Sequence, residues 1–313
     1  MPDVILIGEP MGLFTAQEYG DLKDVTLFKR SLAGAEINVG IGLSRLNYKV
    51  EYVTKMGKDP IGAYIEEAIE KEKIGTSYIS QSEQQNTGLM MKNKVQDGDP
   101  STAYYRNSSA FTTLSEADVN RIDFSDVKLL HITGIPPAVS STVREAIVYL
   151  MKKAKSAGTF ISFDPNLRPA LWSSEDEMVT VLNDLAGLSD LVLPGVSEGK
   201  TLVGTDDVEA IASFYINKGA QVVITKSGAG GAFVTEKGKE TVNVPGFKVQ
   251  KVVDTVGAGD GFAVGVLHGY LSGMTWPEAA VRANAIGSLQ VQNEGDNEGL
   301  PSLEELVTYI ENY

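Results

Sequence analysis

Leu129-Leu130-His131-Ile132, a helical period from Ser140 to Ala157, and Phe160-Ile161-Ser162-Phe163 form the stretch that decides the fold. Two short apolar runs, each closed by a polar or turn residue, flank one helix. That order makes a βαβ unit, the connection parallel strands require. The pattern recurs outward in both directions. Val4 to Ile7, ending at Gly8, Leu191-Val192-Leu193 and Val222-Val223-Ile224 repeat the strand; Ser174 to Ala186 and Asp206 to Lys218 repeat the helix. The expectation is an α/β fold whose parallel sheet is covered by helices on both faces.

Some segments fall outside that pattern. Asp24 to Leu32 and Gly88 to Val95 alternate apolar and polar residues, as half-exposed antiparallel strands do. Helical periods lie beside them at Ala35 to Leu46 and Pro60 to Lys73. Asp97-Gly98-Asp99-Pro100 is a turn signal, and Ala103-Tyr104-Tyr105-Arg106 follows as another short strand. A small sheet projecting from the main one accounts for all of these.

The 313 residues carry 27 basic and 41 acidic side chains, a net charge of −14. Such a field repels polyanions, and no dense Lys/Arg block makes a basic face, so neither nucleic acid nor anionic lipid is an expected partner. The chain has no Cys, which excludes disulfides, thiolate catalysis and Cys-ligated metal. Its two histidines, His131 and His268, are too few for a His-rich metal site. No basic, apolar leader opens the sequence, and no run of about 18 apolar residues could span a bilayer. A cytoplasmic protein is expected.

The chemistry is concentrated in Asp254-Thr255-Val256-Gly257-Ala258-Gly259-Asp260-Gly261-Phe262, followed by the apolar run Ala263 to Leu271. The run reads as a buried helix, with Gly257, Ala258 and Gly259 at its start. There the first N–H groups lack helical partners and the dipole is positive, so small residues make an anion cradle. Asp260 in the first turn is placed to take a proton from a hydroxyl attacking phosphorus. The plain alternative is a dipole-complementing Asp after a tight turn. Lys226-Ser227-Gly228-Ala229-Gly230-Gly231 lies between two strands, as a nucleotide-covering loop or simply a hairpin turn. Gly195 to Thr201 imitates a P-loop but has three residues between its glycines where four are needed, and no GxGxxG follows the first strand.

Asp254–Phe262 resembles the signature of the ribokinase-like, or PfkB, carbohydrate kinases, and Ala33-Gly34-Ala35-Glu36-Ile37-Asn38-Val39-Gly40 resembles their second, N-terminal one. The resemblance covers nearly the whole chain. It implies a single domain with a Rossmann-like core, approximately 1–10, 35–86 and 111–313, and a small β-sheet lid, approximately 11–34 and 87–110. It further implies ATP and Mg²⁺. The phosphates would rest on Gly257, Ala258, Gly259 and Asp260, with Asp260 as base. The nucleotide would lie near Lys226, Gly228, Gly230, Gly231 and Asn284, with Asn166 and Arg168 beside it. Many members hold Mg²⁺ through the Glu of an Asn-x-x-Glu motif; here Glu198 is present but Gly195 replaces the Asn. Glu198 is therefore either a metal residue or a helix cap.

The substrate is read from the lid and the sugar pocket. Asp164-Pro165-Asn166-Leu167-Arg168-Pro169 follows a strand at its carboxyl end, where α/β folds bind ligands. Tyr104 and Arg106 share one face of their strand. Arginines aimed at one cleft from lid and core suit a carboxylate, which takes two parallel hydrogen bonds from a guanidinium. Otherwise Arg168 meets only phosphates and Arg106 is a solvated lid residue. Gly34, Tyr104-Tyr105-Arg106, Arg168 and Gly295-Asp296 together resemble the 2-keto-3-deoxygluconate kinase branch, in which Asp296 would bind sugar hydroxyls. Gly295-Asp296-Asn297 is otherwise just a turn. Relatives place a Tyr after Thr87-Gly88-Leu89, where this chain has Met90. The expected activity is ATP-dependent phosphorylation of the terminal hydroxyl of a six-carbon keto-deoxy sugar acid. A neutral-sugar kinase of fructokinase or ribokinase type, or a non-catalytic sensor, stands as the alternative. The family often assembles through its lid, so a homo-oligomer joins ATP and the sugar acid as an expected partner.

Overall fold

The computed structural model describes residues 1–96 and 100–313. The turn expected at Asp97-Gly98-Asp99 lies outside the described residues. In chain order the strands are β1 (Val4–Ile7), β2 (Met11–Tyr19), β3 (Phe28–Ala33), β4 (Val50–Gly57), β5 (Gly75–Ser82), β6 (Leu89–Lys94) and β7 (Thr102–Tyr105). They continue with β8 (Leu129–Thr133), β9 (Phe160–Asp164), β10 (Leu191–Val192), β11 (Val222–Lys226), β12 (Ala232–Glu236) and β13 (Val242–Val244). The larger sheet runs β13-β12-β11-β10-β9-β8-β1-β4-β5. From β11 to β5 each pairing is parallel; β12 and β13 add an antiparallel edge.

Alternation along the parallel strands explains the layers. Val4, Leu6, Val50, Tyr52, Leu129, Val222 and Ile224 point to one face, where the helices Ala35–Arg45, Ala258–Leu271 and Trp276–Gln290 pack. Ile5, Ile7, Val53, Leu130, Ile132, Phe163 and Val223 point to the other, against Ser141–Ser156, Glu175–Ala186 and Val208–Lys218. A strand buried on both faces needs apolar residues at successive positions, which is why these runs showed no polar alternation. Gly265 permits a close helix contact: a Cβ there would stand 2.3 Å from the Ala283 Cα.

The second sheet has the order β3-β2-β6-β7 and corrects two expectations. The strand expected over Asp24 to Leu32 starts later, at Phe28, and pairs with β2, which the alternation did not reveal. β2 passes from buried at Met11 to exposed at Tyr19, so it keeps no single inside–outside period. The sheet is also mixed rather than antiparallel, because β2 and β6 run parallel. Between β3 and β6 the chain enters the large sheet for β4 and β5, the kind of long crossover that parallel neighbours require.

β1 is the switch point of the large sheet: β4 lies on one side of it and β8 on the other. In open α/β sheets the ligand crevice lies beyond the carboxyl ends of the strands at such a point. Glu9, Thr133, Asp164 and Lys226 stand at or just past the ends of β1, β8, β9 and β11.

Candidate active site

A cavity of about 650 Å³ opens at that edge, between the two sheets. Its wall includes Gly34, Tyr104, Arg106, Asn166, Arg168, Glu198, Lys226, Gly228, Gly257, Gly259, Asp260 and Asp296 of the expected residues. A second, apolar cavity of about 410 Å³ adjoins it, sharing Lys226, Gly228, Thr255 and Gly259. Gly231, Ala258 and Asn284 line this one, with Phe247, Val249, Val252 and Val291. Gly230 closes the short turn beside it, between antiparallel β11 and β12, so the 226–231 segment is both a hairpin turn and a cavity wall. Tyr105 is not brought to the cleft: it is exposed on β7, opposite Leu89.

Gly257 caps the helix Ala258–Leu271 with a φ of 74°, a left-handed conformation that glycine adopts without cost. A Cβ there would also stand 2.2 Å from the Asp296 carbonyl oxygen, so the turn and the 295–300 segment meet backbone to backbone. Gln290, fully buried, ties them together by donating to the Val256 and Gly295 carbonyls. Gly259, at the helix start whose first N–H groups lack helical partners, lines both cavities, an arrangement that suits a triphosphate reaching from an apolar slot into a polar cleft.

Asp260 is half-buried in the first turn, and its Oδ2 accepts from Asn38 Nδ2 at 2.8 Å. Burial raises its carboxyl above the ordinary aspartate range, while Asn38, Arg168 and Lys226 oppose that rise. A carboxylate raised in this way is a better proton acceptor than a solvated one.

Arg106 is not a solvated lid residue. It is buried, with its Nε 2.8 Å and Nη2 2.5 Å from Glu9 Oε2. Ser109 donates to the other Glu9 oxygen at 2.5 Å. Arg168 is exposed and folds onto the carbonyls of its own loop, donating to Leu167 O at 2.9 Å. That loop is shaped by Asn166, whose φ is 41° and whose N–H bonds Asp164 Oδ1.

Asp164 and Lys226 form a bidentate pair at 2.8 and 2.6 Å. Burial pushes Asp164 up while Lys226 pulls it down, leaving it at about 6. Glu198 lies 4.0 Å from Lys226; its oxygens accept from the N–H groups of Gly195 at 2.6 Å and Leu167 at 2.9 Å. It therefore is a helix cap, and it also lines the cleft. Among the described residues no three acidic or histidine side chains converge on one point as a metal cage. One carboxylate beside a phosphate cradle is the donor set that fits Mg²⁺, an ion that keeps several waters and binds mainly through phosphate oxygens.

Several site residues escaped the sequence. Glu36 lines the cleft, buried, accepting a hydrogen bond from the Thr133 hydroxyl. Its carboxyl occupies the space a Cβ on Gly8 would need, and burial pushes it up to about 7. Lys92 on β6 reaches Asp254 at 3.3 Å, bridging the small sheet and the phosphate turn. Asp296 is buried rather than a solvated turn residue; burial raises it to about 7 against the pull of Lys92. Met90, where relatives place Tyr, is buried in the cleft wall.

The pfkB family of carbohydrate kinases matches the chain over residues 1–303. A 2-dehydro-3-deoxygluconokinase of Bacillus subtilis is 45% identical over 98% of this chain and 95% of its own. The crystal structure of a PfkB protein from a Polaromonas species superposes with a TM-score of 0.90, at 41% identity over 98% of this chain and 99% of that one. An uncharacterized sugar kinase from Pyrococcus horikoshii in complex with ATP gives 0.80 at 28% identity, covering 98% and 99%.

Proposed function

The chain belongs to the pfkB family of carbohydrate kinases, and from that footing we propose that it transfers the γ-phosphoryl group of ATP to the terminal hydroxyl of 2-keto-3-deoxygluconate, yielding the 6-phosphate. The observation that carries the acid substrate is Arg106, a buried guanidinium in the cleft wall whose Nε donates to Glu9 and whose Nη2 lies 2.5 Å from the same carboxylate oxygen, leaving Nη1 for a ligand carboxylate. The likeness to the Bacillus subtilis 2-dehydro-3-deoxygluconokinase supports the same choice.

Adenine and ribose take the apolar cavity against Phe247, Val252 and Asn284, and the phosphates pass Lys226 to the Gly257–Gly259 turn. Asp260 accepts the proton of the terminal hydroxyl as that oxygen attacks. Gly34, Tyr104 and Asp296 surround the sugar, Arg106 and Arg168 hold its carboxylate, and the small sheet acts as a lid that excludes water. Glu198 would be the protein neighbour of Mg²⁺, which would supply positive charge against the ATP phosphates. Residues 11–34 and 87–110 form the lid and the remainder the core. Dependence on ATP supports a cytoplasmic location, and the exposed Tyr19, Leu27 and Tyr105 on or beside the lid support a second copy of the chain as its partner there. The neutral-sugar alternative draws on one observation, that Glu9 already cancels the charge of Arg106.

The test is product identity. Incubation with Mg·ATP and 2-keto-3-deoxygluconate is expected to give a phosphate ester coupled to the C6 protons in phosphorus NMR. ATP hydrolysis without ester, or phosphate on another carbon, overturns the assignment.

A further inference from the structure

Asn297 does not line the cleft, yet its side chain reaches Asp260 through a single intermediary. Asn297 Nδ2 donates to Asn38 Oδ1 at 3.2 Å and to the Leu32 carbonyl at 3.3 Å. Asn38 Nδ2 in turn donates to Asp260 Oδ2 at 2.8 Å. A side-chain amide has one acceptor corner and one donor corner, so whatever sits on one corner decides where the other points. Asn38 is almost wholly buried and has no other side-chain partner among the described residues. Asp260, which accepts, and Asn297, which donates, together set the amide: Asn38 turns its oxygen toward Asn297 and its NH₂ toward the carboxylate.

We infer that Asn297 is a positioning residue for phosphoryl transfer: through Asn38 it holds Oδ2 of Asp260 and so aims the carboxylate at the substrate's hydroxyl. This rests on Asp260 being the base. A hydrogen bond to the ionised carboxylate also keeps it ionised; a flipped Asn38 would present its oxygen and do the opposite.

The anchorage of Asn297 is firm. Its carbonyl accepts from Arg45 Nη1 at 2.9 Å, and the Leu300 carbonyl accepts from the same nitrogen at 3.0 Å. Arg45 is itself paired with Glu72 at 2.9 Å. Asp296, the preceding residue, lines the cleft. One turn therefore carries a group that faces the ligand and a group that aims the base, so occupancy at Asp296 and the alignment of Asp260 are mechanically joined.

Two variants in the full chain test the inference. Asn297→Ala removes the donor that holds the Asn38 oxygen and so loosens the amide that aims Asp260. Its kcat should fall at least about tenfold, the scale of a lost hydrogen bond to a charged group. KM for sugar and for ATP should stay near wild type, and the acid limb of the kcat–pH profile should move to higher pH. Asn297→Asp keeps the shape but can only accept, so it draws the Asn38 NH₂ away from Asp260 and should lower kcat further than Ala does. A space-filling role predicts the reverse order. Wild-type kcat and pH profile in Asn297→Ala, or higher kcat in Asn297→Asp than in Asn297→Ala, overturns the inference. Asp260→Asn run alongside separates the two claims: near-normal turnover there removes the base itself.

Discussion

Arg106 and Glu9 are joined across the seam between the two sheets, with Nε 2.8 Å and Nη2 2.5 Å from the same carboxylate oxygen and both side chains less than one tenth exposed. They lie 97 residues apart in the chain. The pair fixes the guanidinium before any ligand arrives, so little side-chain entropy is lost when a carboxylate binds its remaining edge.

This pair makes Arg106→Ala a poor probe, because it strands a buried carboxylate and should cost about 3–5 kcal/mol of stability. Arg106→Lys keeps a cation for Glu9 but, with one nitrogen in place of three, has no separate donor for a second carboxylate. We expect Arg106→Lys to unfold near the wild-type temperature while KM for the sugar acid rises at least about tenfold and KM for ATP does not move. Equal rises in both constants would remove Arg106 as the carboxylate partner.

Glu36 gives a stability signature with a definite sign. Its folded pKa of about 7 lies above its ordinary value of 4.5, so the folded state binds the proton more tightly. Stability from this group is full below about pH 4.5 and is lost as pH rises toward 7, on the order of 3 kcal/mol. Glu36→Gln keeps the oxygen that Thr133 bonds and removes the titration. The variant should therefore gain on wild type in thermal unfolding between pH 5 and pH 8. A constant difference across that range would show that Glu36 does not titrate there.

Much of this was legible because burial on two faces leaves a mark. Val4–Ile7, Leu129–Thr133, Phe160–Asp164 and Val222–Lys226 are runs that only a covered parallel sheet accommodates. The Gly257-Ala258-Gly259-Asp260 turn was legible because small residues and an acid rarely open an apolar helix without a reason. β2 was not, because its environment changes along its length. Glu9, Lys92, Gln290 and Asn297 were not, because each gains its role from a partner on a distant segment and no local spacing records that. Arg106 was legible as a cation on a strand, but not as one whose charge is already half spent.

Gly257 offers a second test of the phosphate turn. Gly257→Ala forces a Cβ onto a φ of 74° and to within 2.2 Å of the Asp296 carbonyl. The turn must shift, and with it the amides that hold the transferring phosphate. A displacement near 1 Å should reduce kcat/KM for ATP roughly 10²-fold. Wild-type values for ATP would mean that the phosphates do not rest on this turn.

The most direct measurement is kcat/KM, by ADP release with Mg·ATP, for 2-keto-3-deoxygluconate, 2-keto-3-deoxygalactonate, fructose and ribose against a blank without sugar. We expect a keto acid to exceed both neutral sugars by at least about 10²-fold, the scale of leaving a buried charged group without its partner. Fructose or ribose turning over as fast as the keto acids would contradict a carboxylate site at Arg106 and return the chain to the neutral-sugar kinases.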